Sequence, residues 1–278
     1  MNVINTNVAS LYAQMALGTN ARGLTTVMEQ LSTGKRLSNA VVDVAGLAIS
    51  TRLSSQIRGL NQALRNANDG ISLIQTADGS TEQVSNMLQR MRELALEASN
   101  STNNDSDRSM INIEFGSLAT QINKIAEYTQ WNGANVLDSS GGSSGVYSFQ
   151  VGANAGQTIS ITLPDMRTGS TSKLSDINGA SVTSTTTASA ALGKIGSALD
   201  VLSWERANMG AVISRLQFTS DNLSNVSVKT QESRSRIEDT DYSQATSELA
   251  KRSIIQQAAQ AMLAQANQMP SMILQLLK

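Results

Sequence analysis

Apolar residues recur every three or four positions through both outer thirds of the chain. That spacing places them on one side of an α-helix, so it predicts long amphipathic helices. The predicted helices cover about 28 residues from Ile4 onward, with one shift in phase, and residues 53–98, 111–125 and 192–237. Gly70 and Gly79 could divide the second of these into three shorter helices, but its apolar side keeps one direction across both glycines, which favours a single helix.

Residues 253–277 form the most informative stretch of the chain. They are rich in alanine, glutamine, leucine and methionine, Pro270 is the only helix breaker, and no charge occurs between Arg252 and Lys278. A lone chain would leave such a helix partly exposed to water, so we expect it to pack against other helices. A chain that runs out and returns places its first and last helices side by side.

The apolar stripes of these two terminal helices are thin and rich in alanine, so two helices alone would bury little surface. Each pair therefore gains most by packing against copies of itself, and unlike patches that meet without closing a ring generate a helical filament. The residues assigned to packing in the core of that filament are Val8, Leu11, Met15, Leu24, Met28, Leu31, Ile255, Ala258, Met262, Met269, Ile273 and Leu276.

The middle of the chain has a different pattern. Residues 146–151 and 158–163 alternate between apolar and polar positions, which predicts a β-hairpin. Residues 170–190 are rich in serine and threonine and are expected to form an exposed loop. Ser172, Ser181 and Thr185 are candidate glycosylation sites there, although a plain solvated loop is the favoured alternative. Residues 32–50 are expected to be a connector with little regular structure.

The predicted fold class is mainly α: a long coiled-coil-like helical rod built from both termini, with a small β-hairpin region in the middle. The helix over residues 192–237 alone would be about 70 Å long at 1.5 Å per residue. A compact domain of this chain length would have a radius of gyration of about 19 Å, which such a helix would overrun.

Composition excludes several classes of function. The chain contains no cysteine and no histidine, which removes disulfides, thiolate sites and the commonest metal ligand and general base. A net charge of −1 gives no field for nucleic acid, and no run of 18 apolar residues predicts a membrane span. The N-terminus lacks the pattern of a signal peptide. We therefore expect no enzyme, no cofactor or metal, no nucleic-acid partner and no membrane insertion.

Several separated segments match one known family. They are VINTNVASL near the start, EQLSTGKRLSNAVVDVAGLAIS over residues 29–50, RNANDGISLIQTADG over 65–79, QRMRELALEASN over 89–100, WNGANVLD over 131–138, and residues 235–277. In all of them the chain resembles the bacterial flagellins. The resemblance implies an inner domain of residues 1–45 with 238–278, and an outer domain of residues 46–237 that includes a β and loop region over about 132–190.

The resemblance also implies a function. Flagellins are structural subunits that polymerise into the helical filament of the extracellular bacterial flagellum, and the alternative is the flagellin-like junction protein between hook and filament. Secretion through the flagellar channel, folding of the termini on joining the filament, and partnership with an export chaperone, a cap protein and hook-junction proteins are implied as well. Some flagellins carry a zinc protease, which needs an HExxH motif that a chain without histidine lacks.

Two recognition properties come with the resemblance. The vertebrate flagellin receptor would contact the positions Gln89, Arg90, Leu94 and Glu114. The plant epitope corresponds to residues 29–50, where this chain has Val41, Val42, Asp43 and Val44 in place of the usual Lys-Asp-Asp-Ala. The departure makes the connector more apolar, so at least one of its valines is expected to be buried against a neighbouring subunit.

Overall fold

The computed structural model describes residues 6–169 and 172–276, with side chains as far as Met269. This part of the chain is mainly α-helical, as predicted. Its long helices are α1 (Val8–Thr33), α2 (Val44–Ala98), α3 (Asp105–Tyr128), α4 (Thr185–Glu238) and α5 (Tyr242–Leu276). They divide between two compact units: residues up to Ile57 together with those from Val228 onward form the first unit, and Arg58–Ser227 forms the second.

The strands lie in two small antiparallel sheets of the second unit. These strands are β1 (Gln130–Trp131), β2 (Ala134–Asn135), β3 (Val146–Gln150) and β4 (Thr158–Thr162). β1 pairs with β2, and β3 pairs with β4 in a register that sets Val146 opposite Thr162. The β3–β4 pair is the predicted hairpin. Ile159 and Ile161 of β4 are buried, which gives this strand its alternating pattern.

α2 is one continuous helix of 55 residues rather than three shorter ones. Its apolar side includes Ala67, Ile74 and Ala77, which are fully buried on either side of Gly70. A Cβ atom at Gly70 would lie 3.0 Å from the ring of Phe149, so the glycine allows β3 to approach the helix closely. Packing on this side outweighs the weak helix propensity of glycine.

The second unit has a continuous hydrophobic core between α2, α3, α4 and the strands. Small and aliphatic side chains make up most of it, as the low aromatic content requires. Its largest fully buried residues are Phe115, Ile74, Leu88, Met91, Leu94, Ile122, Leu137, Leu163, Met166, Leu174, Ile195 and Leu202. This core gives the unit the packing that long helices need for stability.

The turn between α2 and α3 is held by a buried arginine. Arg108 donates from Nε to the carbonyl of Ala98 at 2.9 Å and from Nη2 to the carbonyl of Asn100 at 3.1 Å. It also pairs with Asp105 at 3.1 Å. This side chain therefore satisfies the carbonyl of Ala98, which the end of α2 would otherwise leave unpaired, and adds a second donor to that of Asn100.

The segment over residues 170–190 was expected to be an exposed loop, and that expectation is wrong for the part the structure describes. Leu174, Ile177 and Val182 are fully or almost fully buried in the core of the second unit, and the amide of Val182 donates to Asn112 Oδ1 at 3.0 Å. α4 already begins at Thr185. The prediction failed because these three apolar residues are widely spaced within a segment that is otherwise rich in serine and threonine.

The connector over residues 32–50 is shorter than expected. α1 ends at Thr33, where Gly34 takes the left-handed conformation with φ of 70° and donates to the carbonyl of Gln30. α2 starts at Val44, so the second half of the predicted connector is helical. The carboxylate of Asp43 accepts the amide of Gly46 at 2.9 Å, which caps the helix despite the glycine in its first turn.

Candidate functional site

α1 and α5 pair in the first unit through polar and small side chains. Asn7 donates to the carbonyl of Ala266 at 2.7 Å, Ser10 donates to Asn267 Oδ1 at 2.8 Å, and Asn20 donates to the carbonyl of Arg252 at 2.8 Å. Ser10 and Asn20 are buried by this contact. The start of α1 contacts Ala266 and Asn267, whereas Asn20 further along α1 contacts the earlier residue Arg252, so α1 and α5 are antiparallel.

Little apolar surface is buried between these two helices. Val27 is the buried hydrophobic residue of α1, and Ala245 and Ala266 are those of the described part of α5. Hydrogen bonds of this kind each contribute about 1 kcal/mol, and the small side chains add little hydrophobic stabilisation. The contact therefore fixes the register of the two helices without providing a hydrophobic core.

The predicted apolar stripes mostly lie elsewhere on the two helices. Leu24 and Leu31 are half-buried, and the side chains of Ile273 and Leu276 lie outside the described residues. The other assigned residues are exposed: Val8, Leu11, Met15, Met28, Ile255, Ala258, Met262 and Met269. Tyr12 and Ile254 are exposed as well. We call these exposed residues the apolar faces of α1 and α5.

The two apolar faces have a regular geometry. Val8, Leu11 and Met15 lie at spacings of three and four, and Ile255, Met262 and Met269 at spacings of seven. Each set therefore forms a line along its helix that is separate from the buried polar contacts. In the isolated chain both helices thus present rows of large aliphatic side chains to water.

The connector valines are exposed too. Val41 is 94% exposed, Val44 is largely exposed and Val42 is partly so. Asp43 differs from them because its carboxylate caps α2. Among the residues that the structure describes, none covers Val41, and it extends the exposed apolar surface beyond the end of α1.

A second feature of the first unit was not anticipated from the sequence. The carboxylate of Glu238, at the end of α4, pairs with Lys35 Nζ at 2.6 Å and accepts the hydroxyl of Ser50 at 2.5 Å. Its backbone carbonyl accepts the amide of Arg36 at 2.7 Å. Hydrogen bonds from Lys35 and then from Ser50 hold the pKa of Glu238 below its ordinary value of 4.5. Glu238 lies in a charged segment, next to Asp239, and residue spacing does not show which of these charges will contact a partner 188 residues away.

The candidate receptor positions lie in the second unit and differ in how exposed their side chains are. Arg90 is exposed and pairs with Glu114 at 2.9 Å and with Glu93 at 3.0 Å, and these two hydrogen bonds raise its pKa. Gln89 is exposed on the same turn of α2. Leu94 is only 2% exposed and belongs to the core, so its burial argues against a direct receptor contact.

The candidate glycosylation sites also differ in how exposed their side chains are. Thr185 is exposed at the start of α4, and Ser181 is half-buried. Ser172 is buried, and its hydroxyl donates to the carbonyls of Arg167 and Gly169. Its burial and hydrogen bonds leave Ser172 unsuited to accept a sugar.

Within the part of the chain that the structure describes, no group of three or more acidic side chains is arranged to hold a metal ion. Among the same residues, no helix is long and apolar enough to cross a membrane. The features that stand out are therefore surfaces, namely the apolar faces of α1 and α5 and the connector beside them.

Two sequence profiles match the chain. One, described as the N-terminal helical region of bacterial flagellin, matches residues 4–141, and the other, described as the C-terminal helical region, matches residues 192–277. Flagellin from Halalkalibacterium halodurans is 42% identical to the chain over 280 residues, which cover 99% of this chain and 100% of that protein.

Solved structures agree with these matches. The crystal structure of Bacillus cereus flagellin is 29% identical, has a TM-score of 0.50, and aligns over 57% of this chain and 88% of that one. The structure of a putative flagellar hook-associated protein from Vibrio parahaemolyticus has a TM-score of 0.58 over 72% of this chain and 98% of that one. At 16% identity, the second likeness concerns the fold alone.

Proposed function

Since this chain belongs to the bacterial flagellin family, whose members are structural subunits of the flagellar filament and not enzymes, we propose that it polymerises through the apolar faces of α1 and α5. The observation that supports this most directly is their exposure. The two helices pair through Asn7, Ser10 and Asn20, which leaves the large aliphatic residues free for other copies.

The physical argument follows from the sparse contact between α1 and α5. Covering an exposed leucine, isoleucine or methionine stabilises an assembly by about 1.5–3 kcal/mol for each side chain that becomes fully buried. Several such side chains on each helix, repeated in every copy, supply the association energy that one chain cannot obtain by itself. The connector valines extend the same surface, and we assign Val41 to a contact with a neighbouring subunit because it is almost fully exposed in one chain.

The hook–filament junction alternative is not favoured. The relative from Halalkalibacterium halodurans matches this chain along its full length at 42% identity, whereas the hook-associated structure shares only the fold at 16% identity. Purified monomer that elongates filament fragments into long filaments under the electron microscope would support the filament subunit.

An aspartate on the apolar face tests the proposal. Ile255→Asp places a charge where a neighbouring copy would pack, and burying an unpaired carboxylate is strongly unfavourable. We expect this variant to elongate filament fragments at least about tenfold more slowly than wild type, which corresponds to about 1.4 kcal/mol. Light scattering and electron microscopy measure the elongation.

Gln260→Asp is the matched control. Gln260 is exposed on the same helix but lies about 140° around its axis from Ile255. The elongation rate of Gln260→Asp should be much closer to that of wild type than the rate of Ile255→Asp is. Circular dichroism should give both variants the wild-type melting temperature for the second unit. Normal filaments from Ile255→Asp would contradict the proposal.

Location and further partners extend the proposal. The family places the protein in the flagellar filament. We infer that the protein is secreted through the flagellar channel. We also infer that its partners are an export chaperone, which covers the apolar face of α5, and the cap and hook-junction proteins. Chaperone binding can be tested by titration, since Ile255→Asp should weaken it if the chaperone covers this face.

For vertebrate receptor recognition, Gln89, Arg90 and Glu114 are the surface positions we assign. Arg90 has several N–H donors and is held in place by Glu93 and Glu114. If the receptor contacts this surface, Arg90→Ala should reduce the receptor signalling that the monomer causes by about tenfold or more. Arg92→Ala, at an exposed position two residues further along α2, should reduce it less.

A further inference from the structure

The methionines of the chain are distributed unevenly between the two units. Those of α1 and of the part of α5 whose side chains are described are all exposed: Met15, Met28, Met262 and Met269. In the second unit, by contrast, Met91, Met166 and Met209 are 1% exposed or less, Met87 is half-buried, and Met110 is exposed. Exposed thioethers therefore concentrate on the surfaces assigned to polymerisation.

Methionine is suited to such a surface but is chemically vulnerable there. Its flexible, polarisable side chain fills irregular gaps between helices, which makes it useful at an interface between copies. Its thioether is also the one group on these two faces that mild oxidants convert to a polar product. Valine, leucine and isoleucine, which share the faces, do not react in this way.

We propose that Met15, Met28, Met262 and Met269 are sites of reversible oxidation by peroxide, and that their oxidation stops the subunit from polymerising. The inference rests on the proposed function, because it requires these faces to be buried between copies. In the step itself, the sulfur lone pair attacks one oxygen of hydrogen peroxide, the O–O bond breaks and an S–O bond forms. Sulfur loses two electrons to become the sulfoxide, and the peroxide is reduced to water.

The sulfoxide opposes assembly because of its polarity. Its oxygen is a strong hydrogen-bond acceptor, and burial without a donor is unfavourable. Apart from Tyr12 with its hydroxyl, the neighbouring exposed residues on these faces, such as Val8, Leu11 and Ile255, have no side-chain donor to offer. No charged side chain lies between Arg252 and Lys278 to pair with the oxygen either. An oxidised methionine beyond the reach of Tyr12 therefore replaces an apolar contact with an unpaired polar group.

Met110 provides a control within the same chain. It is 67% exposed, close to the 69% of Met15 and the 66% of Met262, but it lies on α3 in the second unit. Peroxide should therefore oxidise it as readily as the four sites on α1 and α5. Because it is outside the apolar faces, its oxidation should not by itself prevent elongation.

The experiment treats monomer with hydrogen peroxide, removes the peroxide with catalase and adds unmodified filament fragments. All proteins carry Met272→Leu, since the side chain of Met272 lies outside the described residues. Mass spectrometry locates the sulfoxides, and light scattering follows elongation. We expect oxidation at the four sites and at Met110, with Met91, Met166 and Met209 still reduced, and elongation slowed by about tenfold or more.

Two comparisons decide the outcome. The variant with Met15, Met28, Met262 and Met269 all changed to leucine has no thioether at these positions, so peroxide should leave its elongation rate unchanged relative to the same variant without treatment. Met110→Leu should remain as sensitive as the Met272→Leu parent. Methionine sulfoxide reductases, applied to the oxidised parent, should restore elongation without any further substitution.

Failure of this inference can be told apart from failure of the proposed function. If Ile255→Asp blocks elongation but oxidised monomer elongates normally, the oxidation proposal alone is wrong. It is also overturned if the reductases do not restore elongation, or if Met110→Leu confers the resistance. If Ile255→Asp elongates normally, the proposed function itself is contradicted.

Discussion

Glu238 shows how much a single side chain can organise in this protein. Its carboxylate contacts Lys35 and Ser50, and its carbonyl accepts the amide of Arg36, so three separate segments of the first unit meet at one residue. Because the hydrogen bonds from Lys35 and Ser50 lower its pKa, the charged form is the one that stabilises the fold. That stabilisation is fully present above pH 4.5 and is lost as the pH falls through the pKa of the folded state.

The pH dependence gives a prediction for Glu238→Gln. The amide of Thr240, two residues after Glu238, donates to the carbonyl of Gly34 at 3.0 Å. In wild type, protection of the Arg36 and Thr240 amides from hydrogen exchange should fall below pH 4.5, after correction for the intrinsic exchange rate. The variant should have lower protection at pH 7, by about 0.5–1.5 kcal/mol because Lys35 is half-exposed, and should lose most of the pH dependence.

The control for this measurement is Glu232→Gln. Glu232 is on the same helix and pairs with the exposed Lys229 at 3.2 Å. Exposed pairs contribute little, so protection at Arg36 and Thr240 should stay at the wild-type value. A pH profile of Glu238→Gln indistinguishable from wild type would show that this carboxylate does not hold the segments together.

Residues of this kind were the hardest to predict. Periodicity locates apolar side chains on a helix but does not identify which polar residue will pair with a distant partner, as Asn20 does with Arg252. It also did not distinguish the two sides of α1 and α5. Most of the large apolar residues that were predicted to pack in the filament core and whose side chains are described are exposed in one chain, while serine, asparagine and alanine contribute to the contact between the helices.

At the scale of elements, long helices were predicted well because their apolar patterns are long. α2 remains one continuous helix despite two glycines because its buried side continues through Ala67, Ile74 and Ala77. Short or mixed segments were predicted less well. Residues 172–184 enter the core through Leu174, Ile177 and Val182, and three anchors spaced among serines and threonines produce no periodic signal.

The turn between α2 and α3 offers a prediction at this scale. Arg108→Met removes the donors to the carbonyls of Ala98 and Asn100 and leaves that of Ala98 unpaired, whereas that of Asn100 keeps the amide of Asn103 at 3.3 Å. We expect the free energy of unfolding of the second unit to fall by about 1–3 kcal/mol. Urea denaturation followed by circular dichroism measures the change.

Arg92→Met is the comparison for Arg108→Met. Arg92 is exposed on α2, and its replacement should change the free energy of unfolding by less than about 0.5 kcal/mol. Equal stabilities for the two variants would mean that the Arg108 hydrogen bonds do not determine the stability of the turn.

At the scale of the whole molecule, the two units differ in how their helices are stabilised. The second unit has a continuous core that includes Phe115, Ile122 and Leu202. In the first unit, α1 and α5 bury Val27, Ala245 and Ala266 and rely otherwise on hydrogen bonds. Fold class and family follow from sequence patterns that extend over most of the chain. By contrast, the surface that a subunit offers to its neighbours could be identified only from the side-chain contacts of α1 and α5 in the structure.

Hydrogen exchange followed by mass spectrometry, on dilute monomer and on filaments of the same protein, tests the central proposal most directly. If copies pack through the apolar faces, the amides of α1 and α5 should exchange at least about a hundredfold more slowly in the filament, while those in the core of the second unit change far less. If α1 and α5 exchange at the same rate in monomer and filament, these faces are not the polymerisation surface.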